Sequence, residues 1–347
     1  MKNLERETQK SDFWENRERA VEIKQELAVL EEEVARLDRF QKELTDLGEL
    51  GELARGDDKL VSELEERCRK LEEEIKNEEL KTFLAGKYDK NKAILQISAG
   101  AGGNDAEDWT AMLWRMYEHW AEKNNFGVRV LYCRFGEGGG PEGRIGVKEV
   151  SLEINGDFAY GWLKKESGGH RLVRLSPFSA KNLRHTSFAK VEVLPVIEEK
   201  DAEIKIKPED LKIETFRSSG PGGQNVNRRE TAVRITHLPT GIKAEAQIER
   251  FQAANRKIAM EILLSRIVAL KEEEKKREVE KIKDSEIGGG KEKRKIAADF
   301  GGQIRSYIFH PYKLVKDHRT GVATSEAEGV LDGDLNKFLE AEIRINS

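Results

Sequence analysis

Apolar residues near the start of the chain recur every three or four positions. Charged residues fill the intervals, first between residues 15 and 47 and again between residues 60 and 75. This spacing predicts two amphipathic helices that pack along an apolar stripe. We expect Gly48, Gly51 and the Arg-Gly-Asp-Asp segment at 55–58 to end the first helix, so that the region forms a helical hairpin of coiled-coil type. The apolar positions are Leu27, Leu30, Val34, Leu37 and Leu44, then Leu60, Leu64, Leu71 and Ile75.

From about residue 92 the apolar residues alternate with polar ones. A period of two is typical of strands with one buried face. A helix over residues 110–122 and a glycine-rich loop at 136–143 interrupt the pattern, which therefore predicts a mixed sheet with a helix. The predicted strands are AILQIS at 93–98, VRVLYC at 128–133, VSLEI at 150–154, RLVRL at 171–175 and VEVLPV at 191–196.

A second alternating set follows, with EIKI, LKIE, AVRITH and IKAEA between residues 203 and 246. A long helix should begin near Phe251, with Ala254, Ile258, Leu263, Ile267 and Leu270 facing inward and a charged, protruding tail at 271–284. A strand at 306–310 and a helix at 335–343 close the chain. The fold class is therefore α+β and multidomain. The expected segments are a helical hairpin (1–85), a mixed α/β lobe (86–200), an α/β lobe with a long helix (201–297), and a C-terminal segment (298–347) that packs with the first α/β lobe.

Charge is unevenly distributed. Charged residues make up 36% of the chain and hydrophobic ones 37%, which favours lobes with much surface. Residues 1–80 hold 15 Lys and Arg against 25 Asp and Glu, whereas residues 211–270 hold 10 against 5. The basic window is compatible with a polyanionic partner and equally with a solvated mixed-charge surface.

Other classes of protein are disfavoured. No apolar run approaches the length of a membrane span, and the first residues do not resemble a signal peptide. Cys68 and Cys133 are far apart and have no metal-ligating neighbours in the sequence. We therefore expect a cytosolic protein with no disulfide, no metal and no membrane contact.

The segment RSSGPGGQNVNRRE (217–230) combines permissive backbone with a neutral amide. Gly222 and Gly223 allow close approach of a large surface, and Gln224 offers a backbone N–H that could stabilise charge during attack of water on an ester. Nearby arginines could hold RNA phosphates. A hairpin loop without a function would have much the same composition. The arginines are Arg217, Arg228, Arg229 and Arg234.

Several separated segments together resemble the bacterial class-1 peptide chain release factors. These are AGAGGNDAEDW, YGWLKKESGGHRLVRLSPF, RHTSF, SSGPGGQNVNRRETAVRITHLPTG and QIRSY, which occur in the order found in that family. The resemblance extends over nearly the whole chain, including the helical hairpin. It implies that residues 86–200 read a codon and that residues 201–297 carry the catalytic loop.

The resemblance assigns hydrolysis to the Gly222-Gly223-Gln224 tripeptide. In this family the glutamine enters the peptidyl transferase centre, promotes hydrolysis of peptidyl-tRNA and is commonly N5-methylated. The ribosome supplies most of that site, so the isolated protein is not expected to be an enzyme, and no cofactor is implied. The implied partners are the ribosome with its rRNA, the mRNA stop codon and the P-site peptidyl-tRNA, a glutamine methyltransferase, and a class-2 release factor GTPase.

The Ser-Pro-Phe tripeptide matches the members of the family that read UGA and UAA. A serine hydroxyl can donate to or accept from a purine edge, and flat side chains can stack on splayed bases. The implied codon-reading residues are Ser176, Pro177, Phe178, His185 and Thr186, with Asp105 near the first base. Asp105 lies in an Asn-Asp pair where the family more often has Thr-Glu. Helix capping is an alternative explanation for this aspartate.

The residues beside Gln224 keep an alternative function open. Asn225 and Arg229 depart from the usual residues beside the glutamine, and GPGGQNVN resembles small hydrolases that rescue stalled ribosomes without a codon. A non-hydrolytic ribosome- or RNA-binding protein is a second alternative.

Two other motifs are not assigned a function. A second GGQ at residues 301–303 lacks the surrounding motif and is interpreted as structural. AGAGG lacks the lysine and spacing of a P-loop, so nucleotide binding is not expected.

Overall fold

The computed structural model describes residues 6, 8, 17–53, 58–136, 146–197, 206–217, 230–287 and 302–345. The chain divides into two compact units, residues 1–82 and residues 83–347. Predicted features at residues 137–145, 198–205, 218–229 and 288–301 lie outside the described residues.

The first unit contains helix α1 (Arg17–Leu53), and helix α2 (Asp58–Phe83) follows it. Phe40, Leu47 and Leu71 form a small apolar cluster, against which Leu64 packs. Arg36 pairs with Glu78 at 3.0 Å and Arg39 with Glu74 at 2.8 Å. Because the partner number falls as the arginine number rises, the helices run antiparallel, and the predicted hairpin is confirmed.

Two details of the predicted hairpin are wrong. Gly48 and Gly51 do not end α1 but lie inside it, where an added Cβ would meet no atom within 4 Å. A glycine inside a helix costs about 1 kcal/mol relative to alanine, which a long helix tolerates. The predicted stripe is also displaced. Val34, Leu37 and Leu44 are exposed, because the face buried by a single partner helix is narrow and is centred on Phe40 and Leu47.

The described residues of the second unit form two sheets. Their strands are β1 (Ala93–Ala99), β2 (Gly127–Phe135), β3 (Val147–Asn155), β4 (Gly168–Leu175), β5 (Arg184–Pro195), β6 (Leu211–Phe216), β7 (Ala232–His237), β8 (Lys243–Ala246), β9 (Gln303–Ile308), β10 (Leu314–Asp317) and β11 (Ala323–Thr324). The larger sheet has the order β11-β10-β9-β4-β5-β1-β3-β2, and the smaller has the order β6-β7-β8. Neighbours pair antiparallel except β4 and β9, which run parallel.

Helices cover the larger sheet. They are α3 (Asn104–Lys123), α4 (Ala159–Leu163), α6 (Ala327–Leu331) and α7 (Asn336–Arg344), and α5 (Gln252–Ile287) belongs with the smaller sheet. Trp109, Leu113 and Trp120 of α3 share one core with Phe338 and Leu339 of α7. Residues 303–344 thus complete the sheet and core of residues 93–195.

The smaller sheet packs against α5. Ile258, Leu263 and Ile267 are buried as predicted, whereas Ala254 and Leu270 are only half-buried. The same core also takes in Ile94 and Leu194 from the larger sheet, so both sheets contribute to it. Within the described parts of the chain, no helix combines the length and apolarity that crossing a bilayer requires.

A buried charge cluster joins the C-terminal strands to the rest of the larger sheet. We use this name for Arg305, Glu166, Asp317, Glu342 and Arg319. The guanidinium of Arg305 on β9 donates to Glu166 at 2.6 Å, to Glu342 at 2.8 Å and to Asp317 at 3.2 Å. Arg319 pairs with Asp317 at 2.8 Å and also contacts Glu342. The side chains of Arg305, Glu166 and Asp317 are wholly inaccessible to solvent.

Aromatic residues extend the buried charge cluster. Tyr117 donates its hydroxyl to Glu166 at 2.7 Å, and the guanidinium of Arg305 lies 4.6 Å from the centre of the Phe338 ring. Burial lowers the pKa of the adjacent His170 to about 4, so this histidine is neutral at pH 7. Since the cluster links β9, β10, α7 and the turn after α4, it holds these elements together.

Candidate functional site

The beginning of α3 is held tightly against β5. The N–H of Gly100 donates to the carbonyl of Phe188 at 2.8 Å, and the N–H of Phe188 donates to the carbonyl of Ala101 at 2.9 Å. Gly102 has φ +138°, and a Cβ there would lie 2.9 Å from Oγ of Ser187. Glycine is required by both the backbone angle and the space, so these glycines serve to place the first turn of α3 beside β5.

Asp105, in that first turn, is the centre of a cluster of polar side chains. One carboxylate oxygen accepts from the hydroxyl of Ser176 at 2.6 Å and contacts Nδ1 of His185 at 2.9 Å. The other oxygen accepts from Arg174 at 3.2 Å. The three partners come from the end of β4, the residue after it and the beginning of β5, so the cluster is assembled where the β4–β5 connection meets α3. We call these side chains, with Asp108, the Asp105 cluster.

The environment of Asp105 favours its ionised form. Burial by itself raises the pKa of this carboxyl, but hydrogen bonds from Ser176, His185 and Arg174 and the charge of Arg174 outweigh that effect and lower the pKa below its ordinary value. Asp105 is therefore an acceptor at neutral pH and orients the hydroxyl of Ser176 and the ring of His185 towards itself.

Ser176 faces the interior. Only 1% of the residue is exposed; its hydroxyl proton is directed to Asp105, and its oxygen also accepts from the backbone N–H of Phe178 at 3.1 Å. Pro177 and Phe178 are half-buried, and Thr186 beside His185 is exposed. Asp105 thus contacts both Ser176 and His185, and we call the more exposed residues of these two segments, Pro177, Phe178, His185 and Thr186, the rim.

Sequence reasoning missed Arg174 and Asp108. Arg174 donates to Asp108 at 2.5 Å as well as to Asp105, and Nη1 lies 3.4 Å from the sulfur of Met112. Asp108 lies one helical turn after Asp105, and Arg174 stands opposite His185 in the β4–β5 ladder. The available signals were an acidic pair at i and i+3 in one segment and a basic residue in a distant strand. Nothing local in the sequence says that the two segments meet.

The segment with Gly222, Gly223, Gln224, Arg228 and Arg229 lies outside the described residues. It is bounded by Arg217, which is exposed, and by Glu230. Arg234, on β7, pairs with Glu245 at 2.5 Å, and its guanidinium lies 5.1 Å from the centre of the Phe216 ring. A phosphate would therefore compete with Glu245 for Arg234, whereas Arg217 is at the surface.

The second GGQ occupies a structural position. Gln303 begins β9, and the amide of its side chain contacts Ser306 and His318. The carbonyl of Gly302 accepts from the N–H of Gly169 at 3.0 Å. These contacts tie Gly302 and Gln303 into the parallel pairing of β9 with β4, in agreement with the structural interpretation. Among the described residues, no group of His, Cys, Asp and Glu side chains is arranged to hold a metal ion.

Known proteins resemble the chain over its whole length. Residues 1–191 match the PCRF domain and residues 199–319 match the RF-1 domain. The protein named peptide chain release factor 2 of Thermotoga maritima is 49% identical over 292 residues, which cover 84% of this chain and 75% of the relative. Its namesake in Chloroflexus aggregans is 44% identical over 348 residues, covering 100% of this chain and 90% of the relative.

Solved structures agree with the sequence relatives. The structure of RF2 of Thermus thermophilus matches with a TM-score of 0.71 and 38% identity, covering 99% of this chain and 93% of that one. Two domain matches in the expected order, high identity over most of the length and a shared fold all point the same way. The chain therefore belongs to the class-1 peptide chain release factors, the stop-codon-reading proteins of translation termination.

Proposed function

We propose that this chain reads UGA and UAA in the decoding site of the ribosome and triggers hydrolysis of the peptidyl-tRNA ester. The observation that carries the proposal is the Asp105 cluster, in which a Ser-Pro-Phe segment, a histidine and an ionised carboxylate converge where β4 connects to β5. Polar side chains with adjacent flat rings are the usual means of reading unstacked single-stranded bases.

The codon-reading roles follow from accessibility. Phe178, His185 and Thr186 at the rim can reach a base by stacking or hydrogen bonding, while Pro177 stiffens the segment. Ser176 donates its proton to Asp105 in the absence of RNA, and its hydroxyl can rotate to serve either purine at the second position. Asp105 would contact the first base only by sharing an oxygen that already accepts from Ser176 or Arg174.

Hydrolysis is assigned to Gly222, Gly223 and Gln224. The glycines admit the peptidyl-tRNA and rRNA surfaces, the backbone N–H of Gln224 stabilises the developing negative charge, and its amide orients water. Phosphates are held by the surrounding arginines, which add salt-dependent affinity without sequence preference. These arginines are Arg217, Arg228, Arg229 and Arg234.

The remaining proposals concern the cellular context. Residues 86–200 and 298–347 read the codon, residues 201–297 carry the catalytic loop, and residues 1–85 form a separate lobe. Because the ribosome provides most of the catalytic groups, the isolated chain should not hydrolyse peptidyl-tRNA. A glutamine methyltransferase that modifies Gln224 and a class-2 release factor GTPase are the proposed protein partners, in the cytoplasm.

The test is release of a labelled peptide from ribosomes stalled with UGA, UAA, UAG, a sense codon or an empty decoding site. We expect release with UGA and UAA alone. Gln224→Ala keeps the backbone N–H but removes the amide that orients water, and it should slow release at saturating factor about 100-fold, the effect of a misplaced reactant. Gln303→Ala, the same change in the second GGQ, is the matched control and should leave the rate unchanged.

The outcomes separate the alternatives. Equal release with an empty decoding site would identify a codon-independent rescue hydrolase. Binding without release on any codon would identify a non-hydrolytic ribosome-binding protein. Equal rates for wild type and Gln224→Ala would refute the assignment of the catalytic loop.

A further inference from the structure

Asn255 is a buried amide in the first turn of α5 that connects three separate segments. Its Nδ2 donates to the carbonyl of Thr231 at 2.8 Å and to the carbonyl of Glu249 at 2.9 Å. Its Oδ1 accepts from the backbone N–H of Glu249 at 2.9 Å. The residue is wholly inaccessible to solvent, so each of these backbone groups relies on the amide rather than on water.

No other common side chain reproduces this set of contacts. The site requires two N–H donors and one acceptor on a short planar group, which is what asparagine supplies. Aspartate has the same shape but would direct carboxylate oxygens at two carbonyl oxygens. A hydroxyl could satisfy at most two contacts of the three, one as a donor and one as an acceptor.

The position of Thr231 connects Asn255 to residues 217–231, which we call the Gln224 segment. Phe216 at the end of β6 and Ala232 at the beginning of β7 are partners in the ladder, which places their Cα atoms about 5 Å apart. The chain between them carries Gly222, Gly223 and Gln224. Thr231 is the last residue before β7, and Asn255 ties its carbonyl to α5. One end of the Gln224 segment is thereby fixed to a helix as well as to a sheet.

We propose that Asn255 is a positioning residue for peptidyl-tRNA hydrolysis, because it sets the point from which the Gln224 segment leaves the fold. This inference rests on the proposed function of Gln224. Asn255 does not touch substrate and acts through the backbone at Thr231 and Glu249. A displacement of about 1 Å at the base of a reacting group can cost on the order of 100-fold in rate.

The test compares Asn255→Asp with wild type in the full-length protein, using release from ribosomes with UGA in the decoding site. Rates are measured over a range of factor concentrations, so that the maximal rate and the half-saturating concentration are separated. The maximal rate should fall about 10- to 100-fold, while the half-saturating concentration changes less than about twofold because the codon-reading residues are untouched.

Ser265→Ala is the matched control. Ser265 is also buried on α5, but its hydroxyl donates only within the helix, to the carbonyl of Glu261 at 2.8 Å. Both kinetic parameters should match wild type. Thermal unfolding of each variant confirms that it is folded at the assay temperature. If Asn255→Asp does not fold, Asn255→Ser keeps one donor and should give a smaller drop in the same parameter.

Each outcome decides the question. A lower maximal rate with unchanged half-saturation, and a silent control, supports the positioning role. An unchanged maximal rate in a folded variant refutes it, as does a rise in the half-saturating concentration alone. Gln224→Ala is run in parallel: if that variant releases normally, the proposed function fails, whereas a slow Gln224→Ala beside a normal Asn255→Asp removes the positioning role alone.

Discussion

The Asp105 cluster and the buried charge cluster use the same chemistry in different surroundings. Both join carboxylates to an arginine from the strands of the larger sheet. The side chain of His185 is 42% exposed beside Asp105, whereas Arg305 and Glu166 are wholly enclosed. In the proposed function, the first cluster exchanges a partner for an incoming base. Arg305 and Glu166 in the second cluster have no such freedom, since their side chains are closed to solvent.

We therefore expect exposure to separate the proposed recognition site from a clamp, by which we mean a cluster that serves only to stabilise the fold. Removing one member of an enclosed ion pair leaves an uncompensated charge, and the whole fold bears the cost. In the Asp105 cluster, loss of the Asp105 charge leaves Arg174 paired with Asp108 and His185 open to water, so the loss is expected mainly in binding. The three predictions below test this contrast, in order of the size of the effect.

The largest expected effect is from Arg305→Met. This change leaves Glu166 buried without the cation that it contacts at 2.6 Å and leaves Asp317 with Arg319 alone, and it should lower the free energy of unfolding by about 3–5 kcal/mol. Urea denaturation measures the difference. Arg115→Ala, at a side chain that is 70% exposed and 4.0 Å from Asp332, is the control and should cost less than about 0.5 kcal/mol. A loss below 1 kcal/mol at Arg305, roughly the value of an exposed pair, would contradict the clamp.

Asp105→Asn should lower peptide release more than it lowers the stability of the fold. Codon-dependent release should fall about 10- to 100-fold, the range for a lost base-reading contact, while the variant stays more stable than Arg305→Met. Release assays with UGA and UAA and denaturation of the same samples provide both values. Asp332→Asn, at an exposed aspartate, is the control. Unchanged release with a large loss of stability would make the Asp105 cluster a clamp as well.

Glu342→Gln tests the buried charge cluster through the pH dependence of the free energy of unfolding. Burial, reinforced by the charge of Glu166, raises the pKa of Glu342 to about 10, so the folded protein keeps a proton that the unfolded chain gives up above its ordinary value of 4.5. Stability contributed by this residue therefore falls as the pH rises through that window. Glutamine copies the protonated form without the titration.

The advantage of the glutamine should grow between pH 7 and pH 8, by at most about 1.4 kcal/mol over that one pH unit. Urea denaturation at the two pH values measures it, and Glu122→Gln on the exposed side of α3 is the control. A difference between Glu342→Gln and wild type that is independent of pH would show that Glu342 is ionised in the fold.

Local patterns were sufficient for most elements, and the family resemblance singled out Ser176, but the contact of Ser176 with Asp105 was not predicted. Period-two alternation located the strands, and the Ser-Pro-Phe motif pointed to the end of β4. The buried charge cluster was not predictable, since charged residues are ordinarily assigned to the surface. Arg305 is buried because β9 inserts parallel to β4, and its partner Glu166 lies 139 residues away in the chain.

The limits of the prediction at α1 have a different cause. Propensity arguments treated Gly48 and Gly51 as helix breakers, but hydrogen bonding along a long helix outweighs two unfavourable residues. Asn255 also escaped notice, because a lone asparagine in a helix gives no signal until the backbone groups that it serves are known.

The pairing of β9 with β4 has a consequence for folding during synthesis. β9, β10 and β11 form one end of the larger sheet, and all three lie in residues 303–324. During synthesis, β4 keeps an open edge until these residues have left the exit tunnel. By contrast, β6, β7, β8 and the first turns of α5 are continuous in the sequence and require no late segment to pair. The nascent lobe of the larger sheet therefore keeps an unpaired edge, of the kind that invites aggregation, until β9 has emerged and paired with β4.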